Sequence, residues 1–180
     1  IFTTRLGVAR AIGLFELIQE KEVLLERALE VAMSHKGDRQ RVREKLADAL
    51  AELKRTLIRH DEDFDAAAEL PRRSPEYEAI MKRLTRRLSR SARVIERQQV
   101  NAVYLSRWAD ELTQLARSLR TEYGKSCRVN SDSRLREAAY ESLAEFGKRA
   151  DTVARRRDEY QVARNRLSSG NLRLVVSIAK

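Results

Sequence analysis

The sequence predicts an all-α fold of elongated, antiparallel long helices with coiled-coil-like packing. Three observations lead there. Breakers are scarce, with two prolines and six glycines in 180 residues. Arginine, glutamate, leucine and alanine are abundant instead, and these residues lose little conformational freedom in a helix. Apolar residues also recur in alternating steps of three and four, the spacing that lines one helix face.

The elements follow from where the breakers fall. Two segments precede Leu70, and each predicts a helix of roughly 30 residues. Ile12, Phe15, Leu25 and Leu29 mark the apolar face of the first; Leu46, Leu50, Leu53 and Leu57 mark that of the second. Between them, Lys36-Gly37-Asp38 reads as a glycine stop followed by an aspartate N-cap. "LPRRSPEYE" (70–78) is a stronger start, with Ser74 as N-cap, Pro75 at the first helical position and Glu76 in the first turn. Proline's missing N–H costs nothing there, and a carboxylate faces the positive helix end.

From that start a seam runs through Met81, Leu84, Leu88, Ser91, Ile95, Gln98, Ala102, Leu105, Ala109, Leu112, Ala116, Leu119 and Tyr123. Its period near 3.5 predicts a coiled-coil-like hairpin, with Ser91 and Gln98 as polar interruptions of the kind that fix register. "YGKSCRVNSDS" (123–133) breaks the pattern, and Asp132 or Ser133 can cap the next helix. That helix carries Ala139, Leu143, Phe146, Ala150 and Val153, then Arg157, Tyr160, Arg164 and Leu167. Arginines replace apolar residues in its second half, so its packing should loosen there. "LSSGN" (167–171) predicts a fourth break. The tail beyond it fits a helix face through Leu172, Val175, Val176 and Ala179. It fits a strand face equally through Leu172, Leu174, Val176 and Ile178.

Thirty-seven Lys and Arg against 27 Asp and Glu leave a formal charge of +10. Such an excess points to an acidic partner, nucleic acid first and an anionic membrane second. One cysteine, Cys127, allows no internal disulfide and suits a reducing, cytoplasmic setting. No segment approaches the roughly 20 apolar residues of a membrane span. The chain opens on Ile1 and closes inside an apolar run, as expected of an internal fragment.

Sites for chemistry are weak. "EYGKSC" lacks a glycine five positions before Gly124, where Leu119 stands, so it reads as a turn between helices rather than a phosphate loop. In "IRHDEDFD" (58–65), His60 sits among Asp61, Glu62, Asp63 and Asp65, but a bundle metal site needs a second Glu-x-x-His pair. His35 lies at a helix end, so the stretch reads as a solvated acidic face. Lys125 and Arg128 flank Cys127, yet no base accompanies it. The residues point to no enzyme, no cofactor and no metal. Tyr104 and Trp108 share a helix face and read as a helix–helix contact ahead of a base-stacking platform. Arginine-rich stretches at 72–97 and 148–166 read equally as phosphate-facing stripes or as solvated faces laced with ion pairs.

"ARNRLSSGNLRLVVSIAK" (163–180) resembles the opening of conserved region 2 of housekeeping-type bacterial sigma factors, the promoter-recognition subunits of RNA polymerase. All ten residues from Asn171 to Lys180 match that family's pattern; Ser169-Gly170 departs from it, since many members have Glu-Ala there. The resemblance divides the chain into residues 1–162, similar to the helical non-conserved insertion between regions 1.2 and 2.1, and 163–180, the truncated start of region 2.1. It implies RNA polymerase core enzyme and promoter DNA as partners, and no membrane. By the family's pattern Asn171 hydrogen-bonds a flipped base at the downstream end of the −10 element, Leu174 lines the pocket and Arg173 lies close by. A side-chain amide suits a base edge because it both donates and accepts. The insertion would contact the polymerase clamp or upstream DNA phosphates through its basic face, with Arg86, Arg87 and Arg90 as candidates. The competing expectation is a coiled-coil scaffold or interaction protein whose basic face binds nucleic acid non-specifically.

Overall fold

A computed structural model describes residues 1–31, 36–71, 74–123 and 139–178. Among them the architecture is all-helical: α1 (Arg5–Gln19), α2 (Leu25–Ala28), α3 (Lys36–Ala68), α4 (Pro75–Glu96), α5 (Ala102–Tyr123) and α6 (Leu143–Ile178). The described residues contain no strand, and one isolated antiparallel bridge joins Leu29 to Val100. No helix among them is long and apolar enough to cross a membrane.

The proline-marked start behaves as read. The Ser74 hydroxyl accepts from the Tyr77 amide at 3.1 Å, with Pro75 at the first helical position. Ser142 and Glu145 form a reciprocal capping box at the head of α6: the Glu145 amide reaches the Ser142 hydroxyl, and the Glu145 carboxylate accepts from the Ser142 amide. Asp132 and Ser133, the expected caps, lie outside the described residues.

Other boundaries differ from expectation. The first segment is not one long helix: α1 ends after 15 residues. Lys21 adopts a left-handed φ of 64°. Its amide bonds Ile18 O, and that of Glu22 bonds Leu17 O. This is a Schellman stop made without glycine. The seam through Met81–Tyr123 is likewise cut at residues 97–101. Gln99 takes φ 52°, and Asn101 caps α5 through its side chain onto the Val103 amide. The two halves of the seam face inward but meet different partners, α4 chiefly α3 and α5 chiefly α6. Asp38 is not an N-cap; α3 already begins at Lys36 and takes Gly37 and Asp38 into its first turn. Nor does "LSSGN" break the last helix. α6 runs from Leu143 to Ile178 through Gly170, because a lone glycine costs a helix only about 1 kcal/mol and no proline assists it.

Ion pairs set the packing as antiparallel. Arg83 and Arg87 on α4 reach Asp63 on α3. On α5 and α6, Arg120 meets Asp151 and Arg157 meets Asp110. Gly147 allows the Arg120 side chain to lie flat across α6, where a Cβ would collide with the guanidinium. α1 crosses α3 with Arg5 on Asp61 and Glu16 on Lys54. Two apolar clusters result. Phe15, Ile18, Leu46, Leu53, Ile95 and Trp108 sit in the first. Phe64, Leu84, Leu112, Leu119, Leu143 and Phe146 sit in the second. Each fully buried side chain of this size contributes roughly 1.5–3 kcal/mol. Leu88 packs against both clusters.

His60 corrects the reading of 58–65 as a solvated acidic face. Glu62 and Asp65 are exposed, but His60 is fully buried, with no partner for either ring nitrogen. The Tyr140 ring stands edge-on at 5.7 Å. Burial first, and the Arg87 charge second, push the His60 pKa down from 6.5 to about 4.

Between those values the unfolded chain binds the proton and the folded one does not. Stability is therefore full above pH 6.5 and falls as pH drops toward about 4, with a slope approaching about 1.4 kcal/mol per pH unit. Urea titrations across that window should show the decline in the wild type and its loss in His60→Leu. Gly170 has open space around it and no unusual φ, so Gly170→Ala should raise helicity, by about 0.5–1 kcal/mol in helix stability, read by circular dichroism.

Candidate nucleic-acid interface

Two parts of the molecule bear the residues that sequence assigns to partners: the outer face of α4 and the second half of α6. On α4 the buried stripe is Leu84, Ser91, Ala92, Val94 and Ile95, which turns the arginines between them outward or sideways. The three candidates then part company. Arg87 lies at the seam with α3, where it pairs with Asp63 and donates to the Arg59 carbonyl at 3.0 Å. Its side chain is only 25% exposed. Arg86 and Arg90 are exposed and have no ion-pair or hydrogen-bond partner among the described residues. Arg87 therefore holds helices together, whereas Arg86 and Arg90 present charge to solvent.

The electrostatics at that seam explain the division. Burial alone would raise the Asp63 carboxyl, but hydrogen bonds and charge from Arg83 and Arg87 outweigh it and hold the group below its usual range. Asp63 is thus the anion that absorbs two of α4's cations. Among the described residues no carboxylate pairs with Arg86 or Arg90.

Along α6, packing loosens where the arginines enter the seam. Leu143, Phe146 and Ala150 are buried, Val153 is half-buried, and every residue from Asp158 to Leu172 is exposed. This half is held by its own ion pairs, Arg155 and Arg156 to Glu159, and by Gln161 to Asn165 at 3.0 Å. Asn171 is exposed on it. Arg173 and Leu174 belong to the same helix, but their side chains lie outside the described residues. Tyr160, Leu167, Leu172 and Ile178 are exposed apolar side chains on this stretch. The structure does not bring Asn171 together with a pocket wall among the described residues, and α6 passes the 162/163 boundary without a break.

The remaining candidates resolve simply. Trp108 is buried and meets Phe2 edge-on at 6.3 Å, with Tyr104 at the same distance, so this pair is a packing contact. His35, Lys125, Cys127 and Arg128 lie outside the described residues. Among the described residues no group of His, Cys, Asp or Glu is placed to hold a metal ion. The polar centre that sequence reasoning missed is Asp61, which accepts from Arg5 and from the Tyr140 hydroxyl at 2.6 Å. Its partners lie 56 and 79 residues away, a distance no local pattern spans.

Comparison with protein-family models, with curated proteins and with solved structures finds no match to this chain.

The division among the arginines is testable by stability. Arg87→Ala should cost about 1 kcal/mol or more in urea unfolding, through lost charge-assisted bonds, whereas Arg86→Ala and Arg90→Ala should stay within about 0.5 kcal/mol.

Proposed function

We propose that this chain is part of a sigma initiation factor that directs RNA polymerase core enzyme to promoters and helps to recognise the −10 element. The observation that carries the proposal is the unbroken ten-residue match from Asn171 to Lys180 to the start of the family's region 2.1. Residues 163–180 take the role of that region, and residues 1–162 the role of the helical insertion beside it. Asn171 hydrogen-bonds a flipped base of the non-template strand, Leu174 supplies an apolar wall and Arg173 lies at the adjoining backbone. The exposure of Asn171 on a helix that leaves the packed body supports this reading, since a base-capturing amide has to be reachable. The chain acts by binding and carries no catalytic step, and its place of work is the cytoplasm.

A second reading, a helical scaffold with coiled-coil-like packing through its last helix, is favoured by the exposed Tyr160, Leu167, Leu172 and Ile178. Tyr160, Leu167 and Ile178 fall on one side of the helix at about 100° per residue, with Tyr160 and Leu167 in the i, i+7 relation used by helix-in-groove partners.

The polypeptide containing this chain should co-purify with RNA polymerase core enzyme. Asn171→Ala should weaken its complex with promoter DNA about tenfold, the worth of one lost base contact, read by gel shift at fixed salt. Absence of polymerase together with a stable homo-oligomer in sedimentation would replace the sigma reading by the scaffold.

A further inference from the structure

Arg86 and Arg90 are not isolated on their helix face. Lys82, Arg93 and Arg97 are exposed as well, and none of the five side chains has an ion-pair or hydrogen-bond partner among the described residues. Positions 82, 86, 90, 93 and 97 advance in steps of four, four, three and four. At about 100° per residue they fall within a sector of about 80°, and at about 1.5 Å per residue they extend along about 22 Å of helix axis. The arginines just outside the sector, Arg83 and Arg87, are both consumed by Asp63. Several other arginines are paired across helices, as in Arg5–Asp61, Arg10–Glu111 and Arg120–Asp151. Exposed cations without an ion pair among the described residues also stand elsewhere, as at Arg41, Lys45 and Arg107; what distinguishes this row is that five of them align along one helix face.

Like charges at i, i+4 destabilise an isolated helix by a few tenths of a kcal/mol per pair. α4 tolerates three such pairs because its opposite side is anchored in both apolar clusters through Leu84, Val94 and Ile95. The neighbouring polar side chains do not neutralise the row. The Thr85 and Ser89 hydroxyls bond back to the carbonyls of Met81 and Thr85, and Glu96 is the acid nearest the row's end.

We infer that Lys82, Arg86, Arg90, Arg93 and Arg97 form a docking stripe for the phosphate backbone of duplex DNA, read without regard to base sequence. This goes beyond the sigma-factor reading and does not depend on it. Charge complementarity selects a polyanion with regularly spaced groups, and neutralising each phosphate releases bound counterions. Duplex is favoured over single strand because no exposed aromatic side chain stands along the row; binding of single strands relies on stacking platforms. Duplex is favoured over an anionic membrane because α4 has spent its apolar side on the core, leaving none to insert among lipid tails. Arginine also matches phosphate geometry with paired donors.

Three proteins decide the question: the chain itself, the triple variant Arg86→Ala/Arg90→Ala/Arg93→Ala, and a control triple Arg41→Ala/Lys45→Ala/Arg107→Ala that removes exposed cations from α3 and α5. Each is titrated by fluorescence anisotropy against a mixed-sequence 30-base-pair duplex over a range of salt, with circular dichroism confirming the fold. For the stripe triple the slope of log K against log salt should become shallower by about 2.7, about 0.9 for each lost phosphate contact. Its affinity should fall at least tenfold at about 0.1 M salt, while the control triple stays within threefold. An unchanged slope in the stripe triple overturns the inference. So does an equal loss in the control triple, which would reduce binding to net charge. Preferential competition by the corresponding single strand, or by phosphatidylserine vesicles, over the duplex would also overturn it. Because the assay contains no polymerase, its outcome is independent of whether the polypeptide binds polymerase core.

Discussion

The carboxylate of Asp61 ties together three parts of the chain that are far apart in sequence. Arg5 on α1 grips it with two donors, at 2.8 and 2.9 Å, and the Tyr140 hydroxyl reaches the same side chain from just before α6. α3, which bears it, is thereby fixed against the chain's first helix and its last. Charge-assisted bonds of this kind are worth about 1.5–3 kcal/mol where water is excluded, and less where, as here, the carboxylate is 39% exposed. Its larger consequence is positional. Holding Tyr140 down places that ring over His60 and beside Phe64 at 5.1 Å. Burial of the phenol, with the Asp61 charge, in turn pushes the Tyr140 pKa upward, so the hydroxyl stays a donor throughout the accessible pH range.

That arrangement also explains why a histidine is tolerated in the interior. Around His60 stand Tyr140, the carboxylates Asp61 and Asp63, and the Arg87 guanidinium, and both carboxylates are already engaged by arginines. Those carboxylates favour an imidazolium too weakly to offset its burial, and Arg87 opposes one. The neutral ring therefore serves as a flat packing element between α3 and the approach to α6. Two nitrogens without partners are the cost of that placement.

The sequence made the helical class, the Ser74–Pro75 start and the inward faces of most helices legible, because these depend on local chemistry and on spacing. It did not reveal the stops at Lys21 and Gln99, since both place a non-glycine residue in the left-handed region where glycine is the usual signal. Gly170 misled in the opposite direction: it looks like a breaker, but one glycine costs only about 1 kcal/mol and α6 continues through it to Ile178. His60 was legible in principle. The register Leu46, Leu50, Leu53, Leu57 continues by a step of three to His60 and by four to Phe64, so the same seam that marks the core of α3 includes the histidine. The acidic neighbours obscured this, although they occupy other faces of the helix. For the candidate interface, spacing identified the arginine-rich face of α4. Which arginines were already taken depended on Asp63, 20 residues from Arg83.

The two ends of the molecule's charge economy bear on function in different ways. On α4 the cations form a row on a helix whose other side is locked in the core, so they are presented on a rigid support and lose little freedom on meeting a polyanion. On α6 the situation is reversed. Isolated helices of about 12–15 residues are marginal in water, and among the described residues the stretch beyond Arg157 has only side-chain contacts within its own helix, such as Arg156 to Glu159 and Gln161 to Asn165, while exposing Tyr160, Leu167 and Leu172. Apolar side chains set along a lone helix are stabilised only when another surface covers them. In the proposed setting that surface is the remainder of a promoter-binding domain, and covering the apolar side would hold Asn171 at a fixed depth and angle. A base-capturing amide gains selectivity from that rigidity, because a mobile one would lose the orientational advantage that a single hydrogen-bonding side chain offers. In that proposed setting the exposed helix and the exposed asparagine are one feature: the site is completed by the surface that covers the side of α6 bearing Tyr160 and Leu167.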